Sequence, residues 1–97
     1  MHNLGRVFLR QRRLDEAIAS FTGALGKHKA AGLLYGEART LKDMAEARAE
    51  TGELTEARAS LTAAIKIFEQ IGDQAGAAEA ASQPGSLAAN LAKVRLL

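Results

Sequence analysis

The chain has 97 residues, room for one domain that buries only about 60–70% of its unfolded surface. It is 47% apolar, with 21 alanines, four aromatic residues and no cysteine. That balance points to closely packed helices and excludes disulfides, thiolate metal sites and a cysteine nucleophile. The net charge of +2 is unevenly spread: residues 1–30 hold six Lys/Arg against two acids, and the remainder holds seven against nine.

The opening MHNLGRVFLRQRR is too charged, and its apolar run too short, for a secretory signal. No stretch approaches the roughly 18–20 apolar residues that span a bilayer. A soluble, cytoplasmic protein is expected.

Leu4, Val7 and Phe8 stand at helical spacing and predict a short helix over 2–11. Leu14, Ala17, Ile18, Phe21, Ala24 and Leu25 form the next stripe, with Gly26 and Gly32 bounding its end. A third stripe runs from Leu34 through Ala38, Leu41, Ala45 and Ala49 and stops at Gly52. The fourth holds Leu54, Ala57, Leu61, Ala64, Ile65 and Phe68 and ends at Gly72, with Asp73 suited to cap a fifth helix over 74–82. At Pro84 the chain either kinks or stops; in the second case Ser86 caps a last helix with Leu87, Leu91 and Val94. Five or six helices in antiparallel pairs result, and nothing reads as a strand.

A shift of 40 residues brings Leu14, Glu16, Ala17, Ala19, Ser20, Thr22, Ala24, Gly32, Gly36 and Ala38 onto identical residues 54, 56, 57, 59, 60, 62, 64, 72, 76 and 78. Self-similarity at a fixed period means one helical unit stacked on copies of itself. The segments LRQRRLDEAIASFTGAL and AETGELTEARASLTAAIKIFEQIGDQAGAAEA resemble tetratricopeptide repeats. The likeness spans about residues 3–83. It rests on Leu4-Gly5 with Phe8, on Gly52 and Ala57, on Ala17 as the earlier copy, and on Phe21 with Ala24 and Leu61 with Ala64. The period exceeds the usual 34 residues. In length it is similar to the longer repeats of kinesin light chains and large actinobacterial regulators, and FEQIGDQAGAAEA looks most like the regulator type. A period of 40 also suits HEAT or armadillo repeats; the Gly-Glu-Leu-x-Glu-Ala turn at 52–57 favours the tetratricopeptide reading.

Two departures stand out. Arg12 occupies the turn position that Gly52 holds one period later, at a cost on the order of 1 kcal/mol if that position is left-handed. Arg48 replaces an aromatic residue and should send its charge outward.

The resemblance implies an all-α array of antiparallel helical hairpins, stacked as a short right-handed solenoid in a single domain over 1–97. Residues 1–32 form an incomplete first repeat, 33–72 the second, and 73–97 a partial third with the terminal helix. It further implies a concave groove, lined by the first helix of each repeat, that receives a peptide or helix. Projected onto this chain, the groove holds His2, Arg6, Leu9, Arg10, Arg39, Lys42, Glu46, Ala49, Glu50 and Glu79. Arg6, Arg10 and Arg13 are spaced to share one helical side where they fork onto carboxylates, and Arg39 and Lys42 extend it. The carboxylate clamp of some family members is rejected, because Glu46 stands where it needs asparagine and would repel the ligand.

A nucleic-acid surface built on Arg6, Arg10, Arg12, Arg13, Lys27 and Lys29 lacks stacking aromatics. His2 and His28 lack metal-ligand spacing, and Ser20 and Ser60 lack a neighbouring His. His28 holds the place of Phe68, which predicts partial burial. No enzyme, cofactor or metal is expected. The reading is a protein–protein interaction module, a fragment of a larger regulator or scaffold. The alternative is a homodimer formed through an uncapped end at Leu4, Val7, Phe8 and Ile18.

Overall fold

The computed structural model describes residues 2–83, with side chains from Leu4 onward. Five helices follow in order: α1 His2–Arg10, α2 Leu14–Ala31, α3 Leu34–Glu50, α4 Leu54–Gln70 and α5 Gln74–Ala81. Each packs on the next, and α1 also touches α3. The architecture is an all-α helical repeat, with no strand among the described residues. The expected path after Pro84 lies outside them.

The four turns between helices share one geometry, repeated every 20 residues. Arg12, Gly32, Gly52 and Gly72 have φ of 62°, 70°, 84° and 76°. At each, the N–H of the following residue donates to the carbonyl five positions back: Arg13 to Phe8, Leu33 to His28, Glu53 to Arg48 and Asp73 to Phe68. This pattern closes a helix with a left-handed residue, ordinarily glycine because a Cβ is disfavoured there. Arg12 meets the strain foreseen for it. α2 runs through Gly26 and ends at Gly32, because a helix tolerates an interior glycine at modest cost while the left-handed turn needs one.

Asp73 caps α5 as foreseen: its Oδ1 accepts the Gly76 N–H at 2.9 Å. The starts of α2, α3 and α4, at Arg13, Leu33 and Glu53, have no side-chain cap.

Two apolar clusters hold the stack. One joins α3, α4 and α5 through Ala38, Leu41, Ala45, Ala57, Leu61, Ala64, Ile67, Phe68 and Ala80. The other joins α1, α2 and α3 through Leu9, Ala17, Phe21, Met44 and Ala47. Small residues at the crossings let the backbones approach, and the large ones fill what lies between. At Gly5 a Cβ would lie 2.5 Å from the Phe21 ring. Gly36 and Gly76 repeat one contact 40 residues apart: a Cβ would meet the His28 ring at 2.6 Å in the first case and the Phe68 ring at 2.6 Å in the second. His28 therefore fills the Phe68 role, half-buried.

Candidate functional site

The first helices of the successive units, α1, α3 and α5, lie side by side and are tied by ion pairs. Arg6 Nη1 of α1 donates to Asp43 Oδ1 of α3 at 2.6 Å. Lys42 Nζ of α3 donates to Glu79 Oε1 of α5 at 3.0 Å. Arg12 Nη1, in the first turn, donates to Glu50 Oε2 near the end of α3 at 2.6 Å. All three cross from one unit to the next, 37 or 38 residues apart. Charges expected to await a partner are thus largely engaged within the protein.

The projected groove residues separate into three kinds. Arg6, Lys42, Glu50 and Glu79 are held in those bridges, Lys42 with its side chain only 14% exposed. Leu9 is buried against Phe21, and Ala49 packs half-buried on the other cluster. Both belong to the body of the stack, because an apolar side chain on this ridge gains more by covering the neighbouring helix than by facing water. Arg10 and Arg39 are exposed and Glu46 is half-buried on the same face. The side chain of His2 lies outside the described part.

The single arginine side of α1 does not form. The helix ends at Arg10, since Arg12 turns left-handed, and this places Arg13 at the start of α2. There its guanidinium covers the Phe8 ring at 4.8 Å and pairs with Glu16. Arg48 stays one-quarter exposed and donates to Glu53 Oε2 at 2.5 Å, so its charge is neutralised across the α3–α4 turn. Of the expected self-association residues, Leu4 and Val7 are 51% and 45% exposed. Phe8 and Ile18 are half-buried against Leu9 and Phe21, because the short α1 still closes over α2.

Sequence reasoning passed over two features. Asp43 is buried at 2% exposure beside Arg6; a carboxylate between Leu41 and Met44 was its only signal. The second is a cleft of about 390 Å³ between α3 and α5, lined by Tyr35, Ala75 and Gly76 over the buried Phe68 and rimmed by the opposed charges of Arg39, Lys42, Asp73 and Glu79. The Tyr35 ring stands edge-on to Phe68, with centroids 6.3 Å apart. The Arg39 guanidinium lies 5.7 Å from the Tyr35 centroid. The recurrence of Gly36 at Gly76 was the available signal for this lining.

Among the described residues, no group of three or more His, Asp or Glu is placed to hold a metal ion, and no helix is long and apolar enough to cross a membrane. Chemically, the face offers fixed charge, two exposed guanidinium groups and a largely polar cleft beside Tyr35, which are means of binding.

No curated protein and no solved structure matches the chain. A family model described as tetratricopeptide repeat matches residues 1–70. With the helical hairpins, left-handed turns and small-residue crossings seen above, the chain belongs to the tetratricopeptide repeat family, whose repeats are in general non-catalytic protein–protein interaction modules.

Proposed function

We propose that this chain receives a peptide or helix of a protein partner on the face of α1, α3 and α5, as one part of a larger regulator or scaffold. The observation that carries the reading is that face itself: three helices bridged by their own ion pairs, with Arg10 and Arg39 exposed and without an acidic partner among the described residues. Rigid elements held by such bridges present binding groups at low entropic cost. The resemblance of FEQIGDQAGAAEA to regulator repeats supports the larger context, and the cysteine-free composition suits a cytoplasmic setting.

The test is photo-crosslinking in the native host. A photoreactive residue at Arg10 or Glu46 should capture a protein partner, while one at Arg58 or Lys66 on α4 should not. Capture only from α4 would refute the face. The mass of the native polypeptide decides the larger context: a species far above 10.2 kDa supports it.

A specific observation also favours homodimerisation. Leu4 and Val7 are the 40-residue counterparts of Met44 and Ala47, which are 5% and 0% exposed against the first unit. The same positions on α1 lie open and would gain by being covered. Melting that rises with protein concentration, and loses that dependence in Leu4→Lys/Val7→Lys, supports a dimer. A concentration-independent monomer refutes it.

A further inference from the structure

We infer that the open face of the α1–α2 hairpin seats the same hairpin of a second copy, with the twofold axis along the helices and Arg10 of each copy paired to Asp15 of the other. This rests on the homodimer reading above and deepens it by fixing the contact and its direction.

The apolar part of the face comes from both helices. Leu4 and Val7 stand 51% and 45% exposed on α1. Phe8 beside them, with Leu14 and Ile18 on α2, is half-buried over the cluster of Leu9, Ala17 and Phe21. One period later the counterparts of Leu4 and Val7 are Met44 and Ala47, which the preceding hairpin covers. The molecule itself thus supplies the template for what such a face takes, another helical hairpin.

Charge gives the direction. In the first unit Arg6, Arg12 and Arg13 are engaged by Asp43, Glu50 and Glu16. Arg10 and Asp15 are exposed and have no partner of opposite charge among the described residues. They flank the first turn, Arg10 closing α1 and Asp15 in the opening turn of α2. Arg10 lies three residues after Val7 and Asp15 three before Ile18, so each borders the apolar face.

Two twofold arrangements bring the faces together. With the axis along the helices, both turns lie at one end, α1 of each copy lies on α2 of the other, and Arg10 meets Asp15 twice. With the axis across the helices, α1 lies antiparallel on its own copy. Each Arg10 then meets the start of a helix whose segment 1–14 holds four arginines and no acid. Opposite charges at the rim favour the first arrangement, and like charges oppose the second. Arg10 is then taken by the second copy, and Arg39 remains for a different partner.

The test is sedimentation velocity of the full 97-residue chain over a concentration series. The unmodified chain should dimerise. Arg10→Glu and Asp15→Arg should each weaken the dimer about ten- to thirtyfold, the worth of two exposed ion pairs. Arg10→Glu/Asp15→Arg should restore it, and Lys66→Gln on α4 should leave it unchanged. Unchanged circular dichroism checks that each variant folds. Direction is read separately: the chain has no cysteine, so mixing Arg10→Cys chains with Asp15→Cys chains should give a mixed disulfide under mild oxidation. A dimer indifferent to both single variants, a double variant no stronger than the singles, or a mixture without that disulfide overturns the pairing and leaves the homodimer standing. A monomer at every concentration removes both.

Discussion

The Arg6–Asp43 bridge gives a quantitative test of how the first unit is held to the second. Asp43 is 2% exposed and lies 2.6 Å from a guanidinium that is itself 36% exposed. Removing one partner of a fully buried pair costs about 3–5 kcal/mol, chiefly because the remaining charge stays buried. Here the value is smaller: water reaches one side of Arg6, and Asp43 retains a further interaction. Arg6→Met should therefore cost about 2 kcal/mol, a large share of the 5–15 kcal/mol typical of a domain, and lower the melting temperature by about 8–16 °C at this size. Replacing both partners by apolar residues is often near neutral. Arg6→Met/Asp43→Leu should accordingly recover most of the loss, for a coupling of about 1–2 kcal/mol. Urea unfolding followed by far-ultraviolet circular dichroism, over the two single variants and the double, measures it. A single-variant loss below about 0.5 kcal/mol, or additive effects, would refute the claim that this pair ties α1 to α3.

Three further outcomes follow from the same geometry, each read by denaturant unfolding. Arg12→Ala and Arg12→Gly both lose the exposed pair with Glu50, but only alanine keeps the strain of φ 62°. The glycine variant should be more stable than the alanine one by about 1 kcal/mol, and a reversed order would deny the left-handed turn. Gly5→Ala should cost about 1–2 kcal/mol, since its Cβ lies 2.5 Å from the Phe21 ring, while Gly23→Ala, with nothing within 4 Å on an exposed side of α2, should gain up to about 1 kcal/mol. Equal effects at the two glycines would mean α1 does not sit on Phe21. Asp73→Ala should cost about 1 kcal/mol through loss of the α5 cap, and no loss would show that α5 contributes little to the measured unfolding.

Helix positions were legible because their signals are local. The stripes from Leu14, Leu34 and Leu54 each became one helix beginning at that residue, since 3.6-residue periodicity is a property of short segments. Asp73 announced its cap in the same way. The end of α2 was less legible: Gly26 and Gly32 look alike in sequence, and only the turn hydrogen bonds distinguish them. The candidate site was the least legible. Helical register put the charged residues on one ridge, but it carried no information on which of them would meet across units, between residues 37 or 38 apart. Arg6, Lys42 and Glu79 therefore read as open contacts although they are joined to neighbours, and Leu9 read as a groove residue although it belongs to the core.

Sequence alone thus determined the helical class, the 40-residue repeat, the cap at Asp73 and the strain at Arg12, because backbone preference, periodicity and repetition act within a segment or between its copies. Tertiary structure decided which charges neutralise each other, that Asp43 is buried, that Leu4 and Val7 lie open where Met44 and Ala47 are covered, and that Tyr35, Arg39 and Gly76 share a cleft. Those outcomes depend on how helices distant in the chain approach one another, and the free energy of each side chain is set by the neighbours that approach supplies.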